Sequence, residues 1–528
     1  MKIIIRNQPA FKECPQDQMS LMPQCLSDLI PPKHIVRTIN EAIERIELDS
    51  LMAQYKGGGA SSYHPKMMLK ALVYAYSQRI YSSRRIAKAL REDITFMWLC
   101  SENRPDFRTI NDFRGNRMKA VIDDVFTAVL EYLIEKGYVK LENYFVDGTK
   151  LEANANKSKV IWAKRRAAYE KKVREDIHKL LTQIEEANEE EQAEYGNADL
   201  EELGENNQED MNSERLKEQI SELNERLRQE IKPEKRVRSA IKKLETDFLP
   251  RLVKYEQQEE LLAGRNSCST TDPDATCMLM KEDRGAVKPW PKPAYNVHAG
   301  TEGHFVVGFS VHGRTGDTSC LIPHLEQLEQ GLGRLPDKII ADAAYGSEEN
   351  YAYLEQHHVE NYIKYNTFYH DTHEFRKIEE TLKHQYRSDH FPYDAEKDEF
   401  ICPANNRLHY VITSPYTSEN GYETDRRHYE CEDCQGCLRK GHCTSSPGNR
   451  QTWISLKLQA FRQQARENLT SEEGKELRAR RSVEIEGHFG HTKHNMGFRR
   501  FMLRGLEKVK IEWGLLSIAV NMQKMAAA

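Results

Sequence analysis

The chain has 528 residues, 30% charged and 39% hydrophobic, with a formal net charge of −5; that length exceeds a single core and implies two to four folding units. No apolar run reaches the ~18 residues of a membrane span, and the start MKIIIRNQPAFKECPQD has neither an apolar signal core nor a small-residue cleavage site, so the sequence predicts an intracellular chain with no membrane partner. The charge is segregated: Gln183 to Asn212 carry twelve acidic residues and no Lys or Arg, which leaves the remainder net positive, argues against a general nucleic-acid coat and permits local basic surfaces.

Residues 1–137 read as a helical domain. Pro32 to Tyr55 has helical apolar spacing, and MMLKALVYAY is an amphipathic pattern. Ser82 or Ser83 is placed to cap RRIAKALRED, and Asp106 or Thr109 to cap the next helix. Val121 to Lys136 is a further helix that Gly137 stops. Residues 138–154 change to strand, with aromatic and β-branched residues in YVKLENYFVDGTKLEAN. Residues 155–265 are charged and aromatic-poor, read as a coiled-coil-like insertion of two helices joined by the acidic loop.

Residues 266–366 read as α/β. AYNVHAG and FVVGFSVHG form a hairpin with GTEGH as its turn, CLIPHLEQLEQGL is a helix, and KIIADAAY is a short buried strand. Ser347 caps the helix SEENYAYLEQHH, and NYIKYN is the last strand. This order suits a mixed sheet flanked by helices. Residues 367–455 are polar, turn-rich and hold a cysteine cluster; residues 456–528 return to helix.

Three carboxylates stand out. Asp147 ends the strand YFVDGT, Asp342 lies within the otherwise buried KIIADAAYG, and Glu486 lies on a helix in RRSVEIEGHFGHTKH. A lone carboxylate in a buried strand needs a partner or a metal. Two-metal phosphodiester chemistry requires several carboxylates at one point, about 4 Å between the ions. Each residue also has a plainer reading: a turn at Asp147, a cap at Asp342, a solvated charge at Glu486. Glu484 competes with Glu486.

The segments YFVDGTKLEANANK, AYNVHAG, KIIADAAYGSEENY and VEIEGHFGHTKHNMGFRRFMLRG resemble bacterial insertion-sequence transposases of the DDE type. The stretch from His64 to Arg114, HPKMMLKALVYAY through RTINDFR, resembles the helical domain that precedes the catalytic core in one such group. The resemblance implies a ribonuclease-H-like core of mixed α/β class. It makes Asp147, Asp342 and Glu486 the catalytic carboxylates, ligands of two Mg2+ or Mn2+ ions. Glu486 is preferred because Lys493 follows seven residues later, the family's Glu-x6-Lys spacing, and two helical turns place both on one face. Arg481 stands five residues before Glu486 where the family has four, with Ser482 at the expected place.

The implied activity is cleavage of a phosphodiester at an element end by activated water, then attack of the exposed 3′ hydroxyl on target DNA. The implied partners are double-stranded DNA, both terminal inverted repeats and target, and a second copy of the chain on paired ends. The implied location is the bacterial cytoplasm, at the nucleoid when DNA is bound. A catalytically inactive, domesticated DNA-binding descendant is the alternative, and a coiled-coil interaction protein with a zinc module a third reading.

Arg478 to Lys510 hold nine Lys or Arg against three Glu, so Arg481, Lys493, Arg499, Arg500 and Arg504 are candidate contacts to DNA phosphates. His488, His491 and His494 are read as exposed. Ser82 to Arg91 and Arg108 to Lys119 could form a helix-turn-helix-like reader or a plain helical scaffold. Five of the eleven cysteines fall between Cys402 and Cys443. C-x2-C spacing lets two thiolates share one ion, so Cys402, Cys434, Cys437 and Cys443, with Cys431 as substitute, are predicted to hold a structural zinc.

Overall fold

The computed structural model describes residues 25–55, 62–195, 211–229, 235–283, 285, 287–372, 385–418 and 420–528. The opening stretch read for a signal peptide, and residues 196–210 of the predicted acidic loop, lie outside the described residues; residues 183–195, expected in that loop, instead continue the helix Ala163–Tyr195.

The centre is a mixed sheet. Its strands are β1 (Asn143–Glu152), β4 (Thr276–Met278), β5 (Lys292–Glu302), β6 (Phe305–His312), β7 (Lys338–Ala341) and β8 (Glu360–Ile363). β1 is antiparallel to β5 and parallel to β7; β7 is parallel to β8. β6 and the short β4 both pair with β5. Parallel neighbours need crossovers, and helices Leu321–Leu332 and Glu348–Gln356 supply them. β1 is therefore covered on both faces, and NYFVDGTKLE is buried nearly throughout although half of its residues are polar. Asp147 does not end this strand, as the sequence suggested, but lies at its middle. Asp342 lies not within β7 but one residue beyond it, capping the turn Ala343–Tyr345 by accepting from the Ala344 N–H at 2.9 Å.

The N-terminal helices and the sheet share one hydrophobic core with the closing helix Leu506–Ala527. That helix packs on β6 and on the helices Pro65–Ser77 and Ile122–Glu135. Pro65–Ser77 is consequently not amphipathic, as its pattern suggested: it is buried from Met68 to Ser77. Its one interior cation, Lys70, is satisfied by Glu44 and by Asn40 Oδ1 at 2.7 Å. Asp106 caps the helix Phe107–Gly115, accepting from the Thr109 N–H at 2.7 Å. Gly137 follows Ile122–Glu135 with φ of 75°, a left-handed stop that only glycine adopts without strain.

The charged insertion enters and leaves through a two-stranded ladder of β2 (Val160–Trp162) and β3 (Ser267–Ser269). It holds more than the two helices expected. Ala163–Tyr195 and Ser213–Gln229 pack with a third stretch, Lys235–Lys243, which runs through a π turn into Leu249–Leu262. Val237, Ile241, Leu244 and Phe248 give this stretch its own apolar stripe, which meets Val173, Ile177, Leu216 and Leu252 in a separate core.

The cysteine-bearing region is also more regular than its polar composition suggested. β9 (Tyr393–Asp394), β10 (Glu399–Ile401), β11 (Arg407–Thr417), β12 (Glu423–Cys431) and β13 (Gln451–Ile454) form an antiparallel sheet. β11 leaves Tyr410, Val411, Ile412 and Tyr416 exposed, so the strand signal lay in β-branched and aromatic content rather than in alternation. Among the described residues, no helix is long and apolar enough to cross a membrane.

Candidate active site

The sheet brings Asp147 and Asp342 together because their strands are parallel neighbours, Phe145 standing opposite Ile340. The helix Glu472–Arg481 and the π turn Ser482–Glu486 lie across this edge and deliver Arg481 and Glu486. Arg481 joins all three carboxylates. Its Nη2 is 3.2 Å from Asp147 Oδ2 and 3.7 Å from Asp342 Oδ2, and its Nη1 is 3.3 Å from Glu486 Oε1. The one-residue excess over the family spacing is absorbed by the π turn, whose i→i+5 bonding stacks residues five apart.

The three acids differ in environment. Asp147 is buried, and burial pushes its carboxyl up to about 6 despite the opposing pull of Arg481, with the negative charge of Asp342 adding to the rise. Its Oδ1 accepts from the Gly148 N–H at 2.8 Å. The Asp342 and Glu486 side chains are 39% and 56% exposed and open the cluster to solvent.

Glu484 points elsewhere. It is 4% exposed and accepts from the His304 N–H at 2.7 Å, with Arg480 Nη2 at 3.4 Å from its other oxygen. This carboxylate ties the helix to the β5–β6 turn and lies apart from the cluster that Glu486 joins.

Lys493 does not follow Glu486 on a regular helix, because a second π turn, His491–Asn495, intervenes. Lys493 is largely buried and pairs with Glu282 at 3.1 Å. Burial lowers its pKa against the pull of Glu282. Two lysines that sequence reasoning missed face the acids: Lys281 is close enough to act on Asp147, and Lys364, just past β8, senses Asp342 and Glu486. No pattern marks either one; only the fold brings them here.

Of the candidate DNA contacts, Arg499, Arg500 and Arg504 are exposed but anchored. Arg499 Nε donates to the Lys493 carbonyl at 3.1 Å, Arg500 Nη2 to that of Ala155 at 3.2 Å, and Arg504 Nε to that of Asn154 at 2.7 Å. Arg500 and Arg504 fasten the loop after the third acid to the residues just past β1, while Arg499 braces that loop internally, and all three keep an outward charge. His488 is not exposed as expected but 3% accessible beside Phe489 and Trp513, where burial takes its pKa down to about 3. In the N-terminal domain Arg114 is a core residue: it bonds the Tyr81 carbonyl at 2.7 Å and lies 3.7 Å from the buried Glu512.

The donors around Arg481 are carboxylate oxygens, the set that hard divalent cations prefer. A guanidinium held by all three acids marks a place built for positive charge. Among the described residues no three of these oxygens lie within 4.8 Å of one another, so the guanidinium spaces them and would have to withdraw for an ion to enter.

Cys402, Cys431, Cys434, Cys437 and Cys443 all line one enclosed pocket between β10, β12 and the helix Lys440–Cys443. The Ala404 N–H donates to Cys402 Sγ and the Arg450 N–H to Cys434 Sγ, each at 3.3 Å, the kind of donor that stabilises a thiolate. The five sulfurs do not close to within 4.8 Å in threes, so four-coordinate binding requires them to draw in.

Comparison with known families gives two matches. The family described as "Transposase domain (DUF772)" matches residues 24–116, the N-terminal helices. The family described as "Transposase DDE domain" matches residues 401–526, which include Glu486 and the cysteine pocket but neither Asp147 nor Asp342. No curated protein and no solved structure matches the chain.

Proposed function

With a transposase domain at residues 24–116 and a transposase DDE domain at 401–526, the chain belongs with the insertion-sequence DDE transposases, and we propose that it cuts DNA at the ends of its element and joins the freed 3′ ends to target DNA. The observation that carries this reading is the meeting of Asp147, Asp342 and Glu486 on one guanidinium, from three segments far apart in the chain. The sheet order β6-β5-β1-β7-β8, with the first three strands antiparallel and the rest parallel, supports a ribonuclease-H-like core.

In this reading Asp147, Asp342 and Glu486 would hold two Mg2+ or Mn2+ ions, which would supply activation of the attacking oxygen and stabilisation of the leaving one. The chain's own residues do the rest. Buried Asp147 fixes the inner edge of the site, while the exposed Asp342 and Glu486 present oxygens toward the DNA. Lys281, Lys364 and Lys493 offset phosphate charge, and the outward guanidiniums of Arg499, Arg500 and Arg504 track the backbone. Arg481, on withdrawing from the acids, would be positioned to pair with a phosphate. Zinc in the cysteine pocket would staple β10 to β12 and set the strand sheet beside the catalytic helix. A homodimer on two ends is the assembly proposed.

The test is nicking of a plasmid carrying the element's inverted repeats, with magnesium, by wild type and Asp342→Ala. Nicking by wild type alone supports the reading. Failure of both proteins to nick, with retained binding to the ends, would favour a catalytically inactive DNA-binding descendant.

A further inference from the structure

Behind Asp147 lies a second cluster whose chemistry is different. β5 places His298 directly opposite Gly148 across the sheet, with its side chain wholly buried. His312 ends β6, and Cys320 closes the turn Thr318–Cys320 before the helix Leu321–Leu332. One ligand atom from each of His298, His312 and Cys320 lies within 4.8 Å of the others, and this is the one such His, Cys or carboxylate group among the described residues. Asp317 borders the cluster outside that 4.8 Å group, its Oδ1 3.6 Å from His298 Nε2 and accepting from Asn296 Nδ2 at 2.6 Å, so it would have to draw in to serve as a ligand.

Each imidazole is held through one nitrogen, leaving the other. His298 Nδ1 bonds the Tyr345 hydroxyl at 2.6 Å, and its Nε2 is buried with no hydrogen-bond partner. His312 Nε2 bonds Ser310 Oγ at 2.8 Å, and that hydroxyl also meets His324 Nδ1 at 2.8 Å. Such outer partners fix the tautomer and aim of a metal-binding histidine. An unpartnered buried nitrogen is costly unless something occupies it. Space for the cluster is reserved by Gly148, where a Cβ would fall 2.8 Å from His298 Cε1 and 3.0 Å from Asp317 Oδ1.

We propose that His298, His312 and Cys320, with Asp317 as fourth ligand, bind a transition-metal dication, zinc by donor chemistry. Two imidazoles, a thiolate and a carboxylate suit zinc and not magnesium. Binding replaces the Cys320 S–H, which now donates to the Gly316 carbonyl at 3.2 Å, by an S–metal bond, and the thiol proton leaves to solvent. The ion would tie β5, β6 and the turn 317–320 together behind the acids. Through Tyr345, three residues past Asp342, it would also fix the turn that carries the second acid. This site is separate from the carboxylates and from the cysteine pocket.

The experiment measures metal per chain in the full-length protein after dialysis, for wild type, Cys320→Ser and His312→Ala. The expected result is loss of one zinc per chain in each variant, whatever the cysteine pocket retains. In a Cys434→Ser/Cys437→Ser background, cobalt should give a thiolate charge-transfer band that Cys320→Ser abolishes. Unchanged zinc in folded Cys320→Ser protein overturns the proposal. Should the variants fail to fold, anomalous scattering at the zinc edge from wild-type crystals decides it: a peak between His298 Nε2 and Cys320 Sγ supports the site, and its absence there overturns it.

Discussion

Arg481 and Glu486 meet at 3.3 Å although five residues separate them, because residues 482–486 form a π turn. In an α-helix with 3.6 residues per turn, side chains five apart diverge. Ser482 and Val483 lie exposed on the outer side of the turn.

Deleting Ser482 should therefore convert the π turn to an α turn and leave Arg481 against Glu486. Magnesium-dependent nicking is expected to stay within about tenfold of wild type, a barrier change of about 1.4 kcal/mol. Complete loss of nicking with an intact circular-dichroism spectrum would show that the turn itself is required.

Arg481→Ala removes the cation on which three acids converge. Loss of one partner from a buried pair typically costs about 3–5 kcal/mol, and partial exposure of Asp342 and Glu486 puts the expected loss at the low end. Mn2+ should then raise the melting temperature of the variant more than that of wild type, because the ion takes over the role of the guanidinium. Thermal melts with and without Mn2+ check this; equal metal-induced shifts would contradict it.

Asp147 titrates near 6, raised by burial above the ordinary value of 3.8. Its neutral form is thus favoured by folding. That contribution to stability is full below about pH 4 and is lost as the pH rises through about 6. Metal binding must strip the same proton, so Mn2+ affinity should rise by up to about tenfold per pH unit below 6 and level off above it. Calorimetric titration in two buffers of different ionisation enthalpy reads the released proton directly; a flat affinity from pH 5 to 7 would sink the assignment.

Glu484 and Glu486 should separate cleanly. Glu486→Gln is expected to abolish nicking while leaving the denaturant midpoint near wild type. Glu484→Ala leaves the His304 N–H without its acceptor, and unfolding free energy should fall by about 1–3 kcal/mol. If Glu484→Gln, which preserves that acceptor, loses nicking while Glu486→Gln keeps it, the roles are reversed.

Removing zinc from the cysteine pocket, by chelation or by Cys434→Ser, should loosen β9–β13 before the catalytic sheet. The two have separate hydrophobic clusters, Phe400, Leu408 and Tyr429 filling the smaller one. Limited proteolysis should then cut first between residues 385 and 455. Initial cleavage in β1 or β5 would contradict this independence.

Local patterns reported the α/β order and the N-terminal helices, whereas Asp147, Asp342 and Glu486 stood out only through the family resemblance, because each taken alone reads as a turn, a cap or a solvated charge. The sequence did not carry the burial of the helix Pro65–Ser77, since whether a stripe of Leu, Val and Tyr is half or wholly covered depends on a helix more than four hundred residues later. Arg481 looked displaced for the same reason: residue counting assumes an α-helix, and the π turn breaks the assumption. Nothing local aligns the strand histidine His298 with the turn cysteine Cys320; pairing of β5 with β1 and β6 does.

The helix Leu506–Ala527 touches both the N-terminal helices and β6, and this has a consequence during synthesis. Asp147 leaves the ribosome with its strand long before Glu486 exists, and the wall that covers the sheet is made later still. A nascent chain thus holds unshielded strands for much of its elongation, an invitation to aggregate that chaperones must manage. It also means that the three acids are strangers until translation has nearly run its course.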